Sequence, residues 1–309
     1  MSISTGGLYE HEVDLSLDSV ACVHNVVCAT VSEQQRPTSR ESAWELENEP
    51  PMLGIHWAKG FNPARARKNV NMIFHNGEIM PAASVEAIFW GTTWPSNTSD
   101  KVSGLDTYYQ GFGNSGYAHA SDEYTGTNGQ VTSTVSYTGH NVDGTTASGG
   151  GKTSAILAEV CKVVGTGAVH DGFYSVYVDL PRGNAGYCGY HSAGTCNGVI
   201  VQFAFFWNLD GDPGCDPLDT SGLHSEGLSA VANTSSHELS EARTDPNNGG
   251  WYDSRGQENG DKCNFTFAHP LVTFSNGSQW KAQAEWSNAA FTAGTGFPNS
   301  SGQHGCIDN

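Results

Sequence analysis

The stretch SSHELSEARTDP, residues 235–246, decides how the rest of this 309-residue chain is read. It has helical spacing and runs into Pro246, where a helix must end. His237 and Glu241 stand four positions apart. A helix therefore puts an imidazole and a carboxylate on one face, where one divalent ion can take both. Glu238 follows His237 directly and diverges from it by about 100° around the axis, which suits a general base better than a ligand. Metallopeptidase helices commonly read His-Glu-x-x-His, with the Glu as base. Here the second His is Glu, a harder donor that holds zinc less softly and tolerates other divalent ions.

Downstream, DPNNGGWYDSRGQENGDKC, residues 245–263, turns the chain through a proline and two glycines. If it folds back over the helix, either Glu258 or Asp261 supplies a third metal ligand. Trp251 and Tyr252 are candidates for a substrate wall. His224 and His269 are further candidates, as oxyanion stabilisers or as plain surface residues.

Upstream, FYSVYVDL at 173–180 and GVIVQFAFFWNL at 198–209 are the strongest strand signals, the second nearly continuous and so expected at a sheet centre. TSAILAEVCKVVG at 153–165 has helical apolar spacing. NVNMIFHNGEI, with a turn at Asn76-Gly77, and SVEAIFWG at 84–91 are expected as neighbouring strands. DKVSGLDTYYQGF, 100–112, reads as a short helix capped by Asp100, and QVTSTVSYTG as an exposed strand. The late helix is expected from about Gly222 to Thr244, with a break near Ala232. LVTFSNG and QWKAQAEW suggest a hairpin around Asn276-Gly277. Residues 1–68, polar and interrupted by proline, are expected to be an extension or pro-segment ahead of a catalytic domain at 69–309.

Charge excludes several classes. Thirty-two acidic against 14 basic residues give a net charge of -18. Nucleic acid and anionic membrane surfaces are poor partners for such a chain, and no apolar run reaches membrane-span length. GGGKTSA, 149–155, lacks the spacing glycine of a phosphate loop, and no Gly-x-Ser-x-Gly elbow occurs. Exposed Trp could stack on sugars or clamp a peptide, although Trp90 and Trp207 are expected in the core.

The loop NLDGDPGCDPLD places oxygens at Asn208, Asp210, Asp212, Asp216 and Asp219, close to the spacing of a calcium loop. It departs at Pro213, where glycine is required, and calcium is expected there alongside zinc at the helix. The eight cysteines include no Cys-x-x-Cys pair. Most sit in polar, glycine-rich surroundings, which suits disulfides in an oxidising compartment. Cys22 with Cys28 and Cys188 with Cys196 are the simplest local pairings, and Cys161 reads as a buried free thiol. The first twenty residues lack the basic start and apolar core of a leader. The cysteines favour a chain that begins after a removed segment. Five sequons, at Asn97, Asn233, Asn264, Asn276 and Asn299, matter only in a eukaryotic secretory host.

The motifs together resemble the phosphate-induced protein 1, or EXORDIUM, family. The segment from His237-Glu238-Leu239-Ser240-Glu241 through Thr244-Asp245-Pro246 and Trp251-Tyr252 to Glu258-Asn259-Gly260-Asp261-Lys262-Cys263 is similar to that family's C-terminal pattern. Phe74-His75-Asn76-Gly77-Glu78-Ile79-Met80, then Ala87-Ile88-Phe89-Trp90-Gly91, resemble its opening strand pair. Gly186-Tyr187-Cys188-Gly189-Tyr190-His191 resembles a middle element, and Cys306 a terminal cysteine. The chain departs in its N-terminal extension, in Gly260 where alanine is usual, and in part of the cysteine pattern. The resemblance implies a secreted protein with a zinc-peptidase-like helix.

The expectation from the whole sequence is an α+β fold, zincin-like, with a mixed sheet packed against a long metal-binding helix. The expected function is a secreted zinc-dependent endopeptidase acting on peptide or protein through a metal-activated water. The alternative is a non-catalytic extracellular or cell-wall binding protein with a structural metal.

Overall fold

Strand alternation in two apolar runs builds the centre of the molecule, described here by a computed structural model for residues 49–61 and 71–309. The strands are β1 (Leu53–Trp57), β2 (Ile73–Phe74), β3 (Ala83–Trp90), β4 (Val135–Asp143), β5 (Gly172–Pro181), β6 (Tyr187–Cys196), β7 (Val199–Asn208) and β8 (Trp251–Tyr252). Six of them form one mixed sheet in the order β1-β6-β7-β5-β3-β4. β4, β3, β5 and β7 run parallel, while β6 and then β1 add antiparallel at one side. The helices that matter are α1 (Lys101–Phe112), α2 (Thr153–Val164), α3 (Glu226–Thr244) and α4 (Asn259–Lys262).

The pleat sends alternate side chains to opposite faces. Ile88, Val176, Val178, Phe203 and Phe205 meet Ile156 and Val160 of α2 on one face. Val85, Ala87, Phe89, Tyr177, Ala204 and Phe206 share the other core with Leu105 of α1 and Leu228, Val231 and Leu239 of α3. The α+β class, the mixed sheet and the long helix against it are thus as expected, with β5 and β7 in its middle.

Helix α3 is continuous through Ala232, where a break was expected, and everything from Gly227 to Thr244 is buried. Ser225 caps it, accepting the Leu228 N–H. A buried helix this rich in Ser, Thr and Asn must find partners for its polar groups. It does so on all sides. Tyr177 bonds Ser235 at 2.7 Å and Tyr108 bonds Ser236 at 2.6 Å. Asn233 accepts the Gln283 N–H at 2.8 Å, and Arg243 donates to the Ala118 and Thr132 carbonyls. Asn233 is therefore no glycan site, being 0 % exposed.

Several local expectations are corrected. Strand β2 pairs with β8, not with β3. Asp100 precedes α1 without capping it; its carboxylate instead takes the Ser225 N–H and hydroxyl. Strand β6 reads poorly in the sequence because Gly189, Ser192, Gly194 and Thr195 interrupt its apolar residues. The largest correction is at the N-terminal side. Residues 49–61, expected to belong to an extension, contribute the edge strand β1 of the main sheet. A five-residue strand beside Pro50-Pro51 leaves too short a pattern to detect.

Three disulfides link described residues: Cys161–Cys196, Cys188–Cys215 and Cys263–Cys306. Cys161 is therefore bridged rather than free, and Cys188 reaches the loop after β7 rather than Cys196. The Cys22–Cys28 pairing lies outside the described residues. Cys188–Cys215 spans a sequence separation of 27. Constraining the unfolded chain over such a loop contributes about 3.5 kcal/mol. A Cys188→Ala/Cys215→Ala variant should lose about that much in guanidinium unfolding, and an unchanged midpoint would show that the bridge does not hold the fold.

Candidate metal centre

Three elements converge on the middle of α3. The helix supplies His237, Glu238 and Glu241, β6 supplies His191, the turn into α4 supplies Glu258 and Asp261, and β1 passes over them with Gly54 and His56. The late segment folds back over the helix, which was the condition for Glu258 or Asp261 to reach it. The Asp261 N–H donates to Glu241 Oε1 at 2.8 Å, and the Glu258 N–H to Asp261 Oδ2 at 3.3 Å.

The donor atoms crowd together. His237 Nε2 lies 3.1 Å from Glu241 Oε1 and 3.9 Å from Asp261 Oδ1, while His191 Nε2 lies 3.3 Å from Glu258 Oε2. Tetrahedral zinc, with bonds of about 2.0–2.1 Å, keeps its ligand atoms roughly 3.3 Å apart. Two groups of three bring one ligand atom each within 4.8 Å: His191 with Glu241 and Glu258, and His237 with Glu238 and Glu241. Glu241 belongs to both.

Burial makes this crowding costly. His56, His191, His237, Glu238 and Glu241 are all 0 % exposed. His56 Nε2, His191 Nδ1, His237 Nε2, Glu238 Oε2 and Glu241 Oε2 lack hydrogen-bond partners. His237 Nε2 is close to Glu241 yet out of line for a hydrogen bond. Burial pulls His191 and His237 down to about 3, so both imidazoles are neutral. Burial, then the neighbouring Glu241 charge, pushes the Glu238 carboxyl well up; burial also raises Glu241, Glu258 and Asp261. Neither lysine nor arginine pairs with Glu238, Glu241, Glu258 or Asp261 among the described ion pairs; the nearby Lys262 pairs with Asp253. Buried carboxylates such as Glu238 and Glu241, each with one oxygen lacking a partner, are what a divalent cation relieves.

Hydrogen bonds fix two of the rings. The Thr234 hydroxyl donates to the Ala230 carbonyl, so it accepts from His56 Nδ1 at 3.0 Å and leaves His56 Nε2 as a bare lone pair. The Gln283 amide nitrogen donates to the Gly260 carbonyl and meets His237 Nδ1 at 3.0 Å, while its oxygen accepts the Phe265 N–H. That orientation leaves the His237 proton on Nε2. Metal capture through Nε2 therefore requires the amide to turn over and accept an Nδ1 proton instead.

Glycine is required at two points. A Cβ at Gly54, whose φ is +28°, would collide with the Glu241 carboxylate and the His191 ring. One at Gly260 would stand 2.9 Å from His237 Nδ1. A cavity of about 370 Å³ opens beside Glu258 and Asp261, walled by residues 51–55, Trp57 and residues 255–257.

His191 and His56 were not among the expected ligands. His191 lies inside the Gly-Tyr-Cys-Gly-Tyr-His element, whose ligand value only the fold of β6 reveals, and His56 lay in the supposed extension. Other candidates fall elsewhere. His224 stacks on Trp280 with centroids 4.0 Å apart and bonds the Gln279 carbonyl. His269 pairs with Asp308 at 2.8 Å. Trp251 stacks on Phe74 and Tyr252 on His75, and neither lines the cavity. Trp90, Trp94, Trp280 and Trp286 are buried and offer no open face to a sugar or peptide.

The acidic loop does not converge on a calcium site. Lys101 takes both Asn208 and Asp210, and Arg182 takes Asp212 at 2.6 and 3.0 Å. Asp216 accepts the Leu218 N–H, and Asp219 accepts from Ser221 and Ser229. Lys101 and Arg182 thus pair with three of the five expected oxygen donors, and Asp216 and Asp219 cap local turns.

No family model, no curated protein and no solved structure matches this chain.

Proposed function

We propose that this protein is a secreted, zinc-dependent endopeptidase. The observation that carries the reading is the buried set of His and Glu donors on α3 and β6, several of their atoms without hydrogen-bond partners, with Glu258 beside them and no lysine or arginine against them among the described ion pairs. His237 and Glu241 hold the ion, with Glu258 and His191 the nearest further ligands. Bound there, zinc supplies Lewis acidity, polarising a peptide carbonyl and making water acidic enough to lose a proton near neutral pH. Glu238 has one oxygen fixed by the His56 N–H at 3.1 Å and the other free. That free oxygen takes the proton from water as the new C–O bond forms, and returns it to the amine nitrogen as the C–N bond breaks. The fold is read as zincin-like on the same helix, and the resemblance to phosphate-induced protein 1 is part of this reading. Three disulfides fit an oxidising compartment, and among the described residues no helix is long and apolar enough to cross a membrane.

A second reading has its own support. The five innermost side chains are 0 % exposed, which suits a closed structural metal in an extracellular binding protein. Elemental analysis of the purified protein, with hydrolysis of a peptide library before and after chelation, separates the two. One equivalent of zinc with chelator-sensitive cleavage is the expected result. Zinc without cleavage across the library makes the structural reading the better account, and absence of any divalent metal removes both.

A further inference from the structure

We propose that β1 is a built-in, substrate-like inhibitor, occupying the groove in which an extended peptide would pair with β6. This rests on the peptidase reading and names how that site takes its substrate and is kept closed.

Strand β1 is the sheet edge beside the metal donors, antiparallel to β6. Without it, β6 presents a free edge, and peptide recognition by strand addition uses such an edge. Its pairing is irregular, with register shifts between Leu53 and Ile55 and between His56 and Trp57. At those shifts its amides turn to the site: the Gly54 N–H donates to Glu258 Oε1 at 3.2 Å and the His56 N–H to Glu238 Oε1 at 3.1 Å. A backbone donor on the proposed general base weakens it as a proton acceptor. At Gly54 the main chain comes so close to Glu241 and His191 that a side chain there would collide with both.

His56 completes the block. Its ring lies 4.6 Å from that of His237, centroid to centroid, and its bare Nε2 is buried in the site. By contrast Leu53, Ile55 and Trp57 are only half-buried, with Ile55 packed against the α2-side core. The same cavity wall that meets β1, residues 255–258 with Asp261, would meet the peptide that replaces it.

The test keeps the full chain and substitutes a specific protease recognition sequence for residues 62–68. While tethered, the strand faces its groove at an effective concentration in the millimolar range; cutting at micromolar protein removes that advantage, and peptide hydrolysis should rise about 100-fold. The cut N-terminal piece should separate on size exclusion. Added synthetic peptide 49–61 should inhibit again by raising KM with kcat unchanged. A fluorescent copy of that peptide separates the two hypotheses. If it binds the cut, zinc-loaded protein competitively with the released piece but nothing is hydrolysed, strand docking stands and the peptidase reading fails. If the cut piece stays bound on dilution with activity unchanged, or if the cut protein loses its circular-dichroism signal, β1 is an integral strand and the inference is wrong.

Discussion

Glu238→Gln should keep zinc at the parent level and lower peptide hydrolysis by about 10³-fold or more, the scale of a lost general base. The amide preserves shape, and its oxygen can still accept the His56 N–H that now meets Glu238 Oε1 at 3.1 Å. What it cannot do is accept a proton from water. A loss of this size corresponds to about 4 kcal/mol of transition-state stabilisation. The substitution also removes a buried carboxyl whose ionisation is opposed by burial and by Glu241, so folding should not suffer. Zinc content and turnover must be measured on the same preparation. Parent-level turnover in the variant would show that Glu238 is not the base. Loss of zinc would make it a ligand, in line with its grouping with His237 and Glu241.

The helix was the most legible part of the chain, because His237 and Glu241 lie one turn apart and Pro246 marks the stop. Periodicity also placed α2, β5 and β7 within a residue or two, since each is buried on a regular face. The rest depended on contacts that sequence spacing does not encode. His191 faces the site because β6 crosses α3, yet β6 carries too many Gly, Ser and Thr residues to read as a strand. His56 reaches it from a strand of five residues. The partners of the calcium-like loop were not legible either, because Lys101 and Arg182, 107 and 30 residues away from Asn208 and Asp212, arrive from other elements. Cys188 likewise reaches Cys215 rather than the nearer Cys196, because β6 runs ten residues before it ends and carries the two cysteines apart.

Glu241→Gln should move stability in opposite directions with and without metal. In the metal-free protein, burial and neighbouring carboxylates push the Glu241 carboxyl well above the usual range. A raised acid favours the native state at low pH and loses that advantage as pH rises through the folded value. Near neutral pH its ionised form therefore destabilises the fold. The substituted amide would keep the acceptor that the Asp261 N–H uses at 2.8 Å while carrying no charge. Metal-free variant should accordingly melt above metal-free parent, with the gap widening as pH rises. Loaded protein should behave in reverse. A metal present at a thousandfold its Kd stabilises the parent by about 4 kcal/mol. The variant, with the one carboxylate common to both candidate ligand groups neutralised, should gain little of this. Melting curves of both proteins, stripped and zinc-saturated, at two pH values supply the comparison. A glutamate with a purely structural packing role gives variants that melt lower in every condition, and that outcome would remove Glu241 from the metal site.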